Sequence, residues 1–463
     1  MASAREFRVH RPARSSLYCP TVAPSEIRSS TGSLAGESSL VPGRTPWECL
    51  AREAVLAPGQ PLFLWEAPQG ESFSGIGTLC RVEGRGSGRF EQARQGLTGL
   101  LADAEHRGPA TAGFPGPIAI GGFSFAERGE GRAEWPRSDA LFAIPARTFW
   151  RARSGETMET RWRIDRPPPE GAGPVVEGRV AEARPAEGSS PDRGDTMARA
   201  RWNEIVRQSL DRIREGQFSK VVLARTNAVP LRESTTVLAI LDSLRGAYPH
   251  CYRFLIADGT GNAFLGASPE RLVRLAEGQI LTEAVAGTLR CDAGDDVLAL
   301  GQELAGSEKN RSEHRIVLDH LLETLKPVCE TIDAPRAPEV MRLPHLLHLR
   351  TQVEGRARAG AHVLDLVSRL HPTPAVAGWP RQEALAWIAR AEAEDRGWYA
   401  GPVGWVDAKG NGDFAVGIRS VTVQDRAARI FAGAGIVEGS DPELEWREID
   451  LKMKGILDAI ARD

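Results

Sequence analysis

The residues that could do chemistry are clearest near the C-terminal end of the chain, where Glu445, Glu448 and Lys452 follow one another at helical spacing. At about 100° per residue, these charged side chains lie at the edge of the helix face that carries the apolar Ile449 and Met453. Charged side chains are rarely buried without a partner. The pattern therefore predicts a metal ion, a bound anion or a salt-bridge network on this face.

A second inward-facing carboxylate is predicted at Glu313. This residue stands three and four positions before Ile316 and Val317, which belong to the apolar face of the same predicted helix. Two carboxylates on two helices suit a hard cation such as Mg²⁺, which binds few protein carboxylates and keeps positions for water and substrate oxygen. A structural Arg–Glu pair at the helix start is the alternative, and the local sequence leaves both open.

Two further residues have the character of an acid and a base. Glu270 follows Pro269 at the end of an apparent strand, where partial desolvation would raise the pKa of its carboxyl group and suit it to donate a proton. Lys220 begins the apolar strand Val221 to Ala224, where burial would disfavour the charged ammonium and let the amine accept a proton. The alternatives are an ordinary turn at Glu270 and an edge lysine that prevents aggregation at Lys220.

Glycine-rich segments indicate places where backbone N–H groups could approach an anionic ligand closely. Two such segments occur, Ala286-Gly287-Thr288 and Phe431-Ala432-Gly433-Ala434-Gly435-Ile436. Neither has the spacing of a Walker motif or of a dinucleotide-binding fingerprint. Arg419 lies between them and could hold a carboxylate through two hydrogen bonds, or it could be a surface strand residue.

The composition excludes several classes of protein. Of 463 residues, 41% are hydrophobic and 26% charged, and the net charge of -3 gives no basic excess for nucleic acid. The apolar runs are too short to cross a bilayer. The six cysteines are scattered without metal-ligand spacing, which is typical of reduced thiols. We therefore expect a soluble, cytoplasmic protein.

The elements that must position these residues follow from periodicity and composition. Residues 1–44, rich in Ser, Arg and Pro, are predicted to form a disordered tail, and residues 45–165 a strand-rich half. Residues 166–195 contain a triple proline and scattered polar residues, and they predict a linker or surface insertion. In residues 196–463 helices and strands alternate without a fixed repeat, which favours one large α/β body.

Taken in order, these segments resemble the chorismate-utilising enzyme family, which includes isochorismate, salicylate, anthranilate and aminodeoxychorismate synthases. The resemblance spans about residues 200–460, and residues 45–160 fit the family's divergent N-terminal half more loosely. It rests on Lys220 to Arg225, Gly266 to Glu270, Ala286 to Thr288, Ser307 to His314, His371 to Gly378, Gly401 to Arg419, Phe431 to Ile436 and Glu445 to Lys452.

Within the family the chain is most similar to isochorismate synthases. Members that add water at ring carbon C2 carry a base lysine at the position of Lys220, whereas those that add ammonia do not. Aminodeoxychorismate synthases often use a nucleophilic lysine where this chain has Ala286. The segment His371 to Gly378 also resembles isochorismate synthases more than salicylate synthases. The implied fold is α/β (α+β), a single large body with two-layer sheets flanked by helices and a pocket between them.

The resemblance implies an isomerase that converts chorismate to isochorismate by Mg²⁺-dependent addition of water at C2 with loss of the C4 hydroxyl. Lys220 would be the base and Glu270 the acid, while Glu313 and Glu448 would hold the Mg²⁺ ion and Glu445 would support it through water. The substrate would be bound by Ala286, Gly287, Thr288, His348, Arg419, Gly433, Gly435 and Lys452. The product would feed menaquinone, siderophore or salicylate synthesis.

Three alternatives remain at this point. A salicylate synthase would eliminate pyruvate from isochorismate, and an ammonia-using anthranilate or aminodeoxychorismate synthase subunit would need a glutaminase partner. A chorismate-binding regulator would be expected to lack a catalytic or metal-binding residue, and none is missing here. The resemblance favours a monomer without an obligate glutaminase partner.

Overall fold

The computed structural model describes residues 21–22, 34–68, 71–101, 105–107, 116–127, 135–151, 155–164, 191–292 and 294–461. The strands in these ranges are β1 (Thr21–Val22), β2 (Leu34–Val41), β3 (Leu62–Glu66), β4 (Ser72–Gly84), β5 (Glu105–Arg107), β6 (Ile118–Phe123), β7 (Ala140–Arg151), β8 (Thr157–Ile164), β9 (Lys220–Pro230), β10 (Tyr252–Ala257), β11 (Ala263–Ser268), β12 (Arg271–Ala276), β13 (Gln279–Arg290), β14 (Cys329–Asp333), β15 (Glu339–Leu343), β16 (Leu346–Ala357), β17 (Gly378–Trp379), β18 (Pro402–Asp407), β19 (Gly412–Val416), β20 (Ser420–Gln424) and β21 (Ala427–Ile436). The helices are α1 (Pro46–Leu56), α2 (Arg89–Leu101), α3 (Pro191–Arg214), α4 (Val237–Ala247), α5 (Val297–Gly306), α6 (Glu308–Leu325), α7 (Val363–Leu370), α8 (Arg381–Ala391) and α9 (Pro442–Ala461), with a short 3-10 turn at Gly86–Gly88.

The strands form two antiparallel rows that meet at β7. One row runs β9, β21, β20, β11, β10, β3 and β4. The other runs β16, β13, β12, β19, β18 and β6. Strand β7 pairs with β4 and with β6, so the two rows are continuous through hydrogen bonds. The predicted α/β class, a large sheet flanked by helices, is confirmed.

The N-terminal and C-terminal halves are interleaved in these rows. Leu64 of β3 lies opposite Leu255 of β10, and Ile120 of β6 lies opposite Trp405 of β18. Leu64 and Leu255 are also buried in one hydrophobic cluster that contains residues from both halves. The N-terminal half therefore supplies neighbouring strands and core side chains to the half that carries the motifs.

Two predicted segments lie largely outside the described residues. For the tail 1–44, residues 1–20 and 23–33 are not described, but Leu34–Val41 forms β2 in register with β8, which differs from the expected disorder. The reason is that Leu34 and Ala35 are buried, so this end of the segment gains apolar contacts. For the linker 166–195, residues 166–190 are not described, and α3 begins at Pro191.

Capping residues define the starts of the two helices that carry the predicted carboxylates. The Ser307 hydroxyl accepts a hydrogen bond from the Asn310 N–H at the start of α6 (3.4 Å). The Asp441 carboxylate accepts hydrogen bonds from the N–H groups of Glu443 and Leu444 at the start of α9 (3.0 and 2.9 Å). The apolar face of α9, with Ile449, Met453 and Ile456, is buried. That packing fixes which edge of α9 turns toward the sheet.

The remaining features of the fold concern its cysteines and the apolar character of its helices. Cys49, Cys80, Cys251, Cys291 and Cys329 are all buried. In the described ranges, every helix falls short of the length and apolar character that crossing a bilayer requires.

Candidate active site

The predicted site residues converge on one cleft between the two rows of strands. It has a volume of about 750 Å³ including its open mouth. Strands β9 and β21 line one side, β13 and β16 line another, and α6 and α9 contribute carboxylates. Eleven of the predicted residues line it: Glu270, Ala286, Gly287, Thr288, Glu313, His348, Arg419, Gly433, Gly435, Glu448 and Lys452. The other two do not line it: Lys220 forms an ion pair with the lining residue Glu313, and Glu445 forms an ion pair with Lys309 of α6.

Lys220 is buried behind Glu313. Its side chain is 1% exposed, and its Nζ lies 2.9 Å from Oε1 of Glu313. Trp379 of β17 pairs with Lys220, so the residue is not on an open strand edge. A Cβ on Gly435 would overlap the Glu313 carboxylate and lie 3.2 Å from Cε of Lys220, so a larger residue here would displace the Glu313 side chain from this ion pair. The interpretation of Lys220 as an exposed edge lysine is wrong.

The charged edge of α9 also consists of ion pairs. Lys452 Nζ lies 2.5 Å from Oε1 of Glu448 and donates a hydrogen bond to the Gly433 carbonyl (2.8 Å). Glu445 is buried, and its Oε1 lies 3.0 Å from Nζ of Lys309 on α6. Together with the pair at Glu313, each predicted metal-binding carboxylate thus has a lysine ammonium as its partner. A metal ion would replace or share these lysine contacts.

The donor set fits Mg²⁺. Glu313 and Glu448 both face the cleft, while Glu445 lies next to Glu448. Burial lowers the pKa of Lys309, but its ion pair with Glu445 and the charges of Glu313 and Glu448 together raise this pKa above its ordinary value. The described residues contain no preformed group of three or more His, Cys, Asp or Glu ligands. Mg²⁺ typically binds one or two carboxylates and completes its shell with water and substrate.

Glu270 has the properties of a general acid. It lies in the connection between β11 and β12, where the Ser268 hydroxyl accepts a hydrogen bond from its N–H (3.2 Å). Burial raises the pKa of Glu270 to about 8, and the charge of Glu283 adds to this effect, while Lys220 and Lys452 oppose it. The carboxyl group therefore carries a proton at neutral pH, as a general acid requires.

The Ala286-Gly287-Thr288 segment forms a tight wall of the cleft. Gly287 has φ +77°, and a Cβ there would lie 3.1 Å from the Asn310 carbonyl oxygen. The Asn310 side-chain oxygen accepts a hydrogen bond from the Thr288 N–H (3.3 Å). His348 Nδ1 lies 3.2 Å from the Thr288 hydroxyl, and burial lowers the pKa of His348 to about 3. A neutral His348 can therefore exchange hydrogen bonds without adding charge.

Arg419 lines the cleft and supplies a guanidinium group to it. The residue is 8% exposed and adopts φ +50°, a left-handed conformation that is unusual for a side chain larger than glycine. This conformation lies between β19 and β20, where the chain turns at the cleft. The interpretation of Arg419 as a surface strand residue is therefore wrong.

Several residues that contribute to the site were not predicted. Tyr399 lines the cleft and stacks on Phe431 with ring centroids 5.1 Å apart, and burial raises the pKa of Tyr399 to about 12. Lys309 stands four residues before Glu313, a helical spacing that could have indicated a shared face. Glu283 has no such signal, because the pairing of β12 with β13 brings its carboxylate to the Arg271 N–H, next to Glu270.

The chain is similar to known proteins in sequence and in fold. The salicylate biosynthesis isochorismate synthase of Pseudomonas aeruginosa is 37% identical over 416 residues, which cover 87% of this chain and 85% of that protein. The isochorismate synthase MenF of Bacillus subtilis is 34% identical over 358 residues, covering 74% and 75%. The solved structure of MenF, the menaquinone-specific isochorismate synthase from Escherichia coli, has a TM-score of 0.73 and 26% identity over 94% of this chain and 97% of that chain.

The family model described as chorismate binding enzyme matches residues 28–461, which include the described strands from β2 onward and all the cleft residues. The chain therefore belongs to the chorismate-binding enzyme family.

Proposed function

We propose that the protein is an isochorismate synthase, an isomerase that adds water at C2 of chorismate and expels the C4 hydroxyl. The observation that carries this proposal is the pair of Glu270 and Lys220 at one cleft. Glu270 is protonated at neutral pH because burial raises its pKa to about 8, and the Lys220 amine lies close enough to influence it. A proton donor and a potential proton acceptor at one site suit a reaction that adds water and expels a hydroxyl.

Chorismate carries two carboxylates, so its binding site must supply positive charge. Arg419 and Lys452 line the cleft and can each bind a carboxylate oxygen with a charge-assisted hydrogen bond. Gly287, Gly433 and Gly435 leave the backbone open to close approach by the substrate. The stacked rings of Tyr399 and Phe431 form an apolar wall against which the ring of the substrate can pack.

The reaction balances as an isomerisation. Lys220 removes a proton from water as the water oxygen forms a bond to C2, the ring double bond shifts, and the bond between C4 and its hydroxyl breaks. Glu270 donates its proton to that hydroxyl, which leaves as water. An ammonium cannot act as a base, so the ion pair between Lys220 and Glu313 must open and Lys220 must release its proton first.

We propose Mg²⁺ as the cofactor, held by Glu313 and Glu448 with Glu445 behind them. When bound, the ion would neutralise a substrate carboxylate and help to orient the ring. The support for this assignment is the set of three carboxylates that line or adjoin the cleft, each of which forms an ion pair with a lysine.

The proposed nucleophile is water rather than ammonia, so we propose that the protein acts without a glutaminase partner. We also propose a monomer, as the resemblance to the family implies. Ala286 has no amine that could attack the substrate covalently. The product isochorismate would serve menaquinone, siderophore or salicylate synthesis, because each of these starts from the same compound.

The test is to incubate the purified protein with chorismate and Mg²⁺ in isotopically labelled water and to identify the product by chromatography and mass spectrometry. Isochorismate with a solvent-derived oxygen at C2 is the expected result. Salicylate, which is fluorescent, would show pyruvate elimination and favour the salicylate synthase alternative. An aminated product formed only with ammonia would contradict the proposal.

A further inference from the structure

A second buried carboxylate, Glu283, lies behind the general acid. It is 5% exposed and sits on β13, two residues before Val285, which lines the cleft. Its Oε2 lies 2.6 Å from Nε of Arg350 on the neighbouring strand β16. Glu283 itself does not line the cleft, so any effect that it has on the reaction must pass through another residue.

Glu283 holds the backbone next to Glu270. Its Oε1 accepts a hydrogen bond from the Arg271 N–H (2.8 Å). The carbonyl of the same peptide unit, that of Glu270, accepts a hydrogen bond from the Val416 N–H (3.1 Å). The peptide between Glu270 and Arg271 is therefore hydrogen-bonded at both of its polar groups: its carbonyl to β19 and its N–H to the Glu283 carboxylate. This arrangement limits rotation of the backbone that carries the acid.

The negative charge of Glu283 also contributes to the raised pKa of Glu270. Lys220 on β9 and Lys452 on α9 favour the ionised carboxylate, and Glu283 on β13 disfavours it. Without Glu283, burial alone would have to keep Glu270 protonated against two ammonium groups. The remaining titratable or charged groups of the cleft are His348, Glu313, Tyr399, Arg419 and Glu448.

We propose that Glu283 is a positioning residue that holds the peptide after Glu270 in place and keeps the Glu270 carboxyl protonated for proton donation. This inference rests on the proposed function, in which Glu270 acts as the general acid. A purely structural Glu283, present only to pair with Arg350, would affect the stability of the sheet but not the pH at which the acid loses its proton.

The first test is Glu283→Gln. Glutamine keeps an oxygen that can accept the Arg271 hydrogen bond but removes the negative charge. Activity requires protonated Glu270, so in the wild type kcat/KM should fall as pH rises through about 8. In the variant this alkaline limb should move to lower pH. A shift of half a pH unit lowers kcat/KM about threefold at a fixed pH on the limb. On the acidic side of the pH optimum, where Glu270 is protonated in both proteins, kcat/KM should change little.

The matched control is Glu354→Gln, which removes an exposed carboxylate from β16 without contact to Glu270. Its pH profile should coincide with that of the wild type. A second variant, Arg350→Gln, leaves Glu283 without its cationic partner and should move the alkaline limb to higher pH. This variant keeps the test decisive if Glu283→Gln does not fold, because Arg350 is partly exposed and tolerates replacement more easily.

A measurement without turnover separates this inference from the proposed function. An infrared pH titration of the carboxyl bands, with Glu270→Gln used to assign the Glu270 band, reports the protonation of Glu270 directly. A lower midpoint in Glu283→Gln, or a higher one in Arg350→Gln, supports the inference even if chorismate proves not to be the substrate. Midpoints and alkaline limbs that coincide with the wild type in the folded variants would overturn it.

Discussion

Lysine and glutamate side chains are paired around the cleft, and these pairs are central to the proposed chemistry. Glu313 forms an ion pair with Lys220, and Glu448 forms one with Lys452. Both ion pairs lie where an anionic substrate and a cation would enter. Removing one member of a buried pair leaves an uncompensated charge, so variants at these positions must be checked for folding as well as activity.

Lys220→Ala should reduce turnover by about 10²- to 10⁴-fold, the range for loss of a general base. Chorismate binding should change little, because Lys220 lies behind the lining of the cleft. Steady-state kinetics and calorimetric binding measure the two effects, and a thermal melt checks the fold. Lys409→Ala, at a lysine that is 73% exposed, is the control and should keep full activity. A near-normal rate for Lys220→Ala would remove it as the base.

Glu448→Gln should weaken Mg²⁺ binding, because the amide retains the size of the side chain but not its negative charge. Calorimetric titration with Mg²⁺ should give a midpoint at higher concentration, with or without chorismate. The control is Glu443→Gln, five residues earlier on α9, where the carboxylate pairs with Arg447 away from the cleft. If both variants titrate like the wild type, Glu448 is not a ligand.

At the scale of elements, the site depends on how closely α6 approaches β21. Gly435 of β21 leaves room for the Glu313 carboxylate of α6, and Lys220 reaches the same point from β9. The apolar face of α9 is buried, which places Glu448 and Lys452 at the cleft. Two helices and two strands thus converge at one ion-paired cluster.

Gly435→Ala should disrupt this cluster, because its Cβ would overlap the Glu313 carboxylate. We expect a loss of turnover and weaker Mg²⁺ dependence while the protein stays folded, since the flexible Glu313 side chain can move away. Gly246→Ala in α4 is the control, with no atom within 4 Å of the added Cβ. It should keep activity and gain up to about 1 kcal/mol of stability from helix propensity. Equal activity in the two variants would contradict the packing argument.

At the scale of the whole molecule, the two halves of the chain form one sheet system and one main core. Strand β10 has β3 as a neighbour, and β18 has β6, so each half completes the other. The cleft itself is lined by residues after position 220, but the strands that carry them are held in place by the N-terminal half.

Residues 191–463 expressed alone should not fold, because β10 and β18 would expose unpaired edges and the shared core would lose its N-terminal side chains. Near-ultraviolet circular dichroism should show no fixed tertiary packing in this fragment. Co-expression with residues 1–190 should restore a soluble complex with chorismate turnover. A stable, active fragment would show instead that the catalytic half is an independent domain.

Much of the cleft follows from local sequence. Helical periodicity alone directs Glu445, Glu448 and Lys452 toward the interior, and the structure confirms that Glu445 is buried and that the other two line the cleft. These features depend on spacing within one element, which a sequence displays directly.

The rest depends on contacts between elements. Lys309 and Glu445 form an ion pair across 136 positions, and the pairing of β12 with β13 brings Glu283 to the backbone beside Glu270. Strand register and helix packing set these distances, and a single sequence shows neither. The sequence by itself therefore determined the family, the residue types of the cleft and the inward edge of α9. Only the tertiary structure decided that Lys220 stands behind Glu313 and that burial keeps Glu270 protonated, because desolvation and ion pairing depend on what surrounds a group in space.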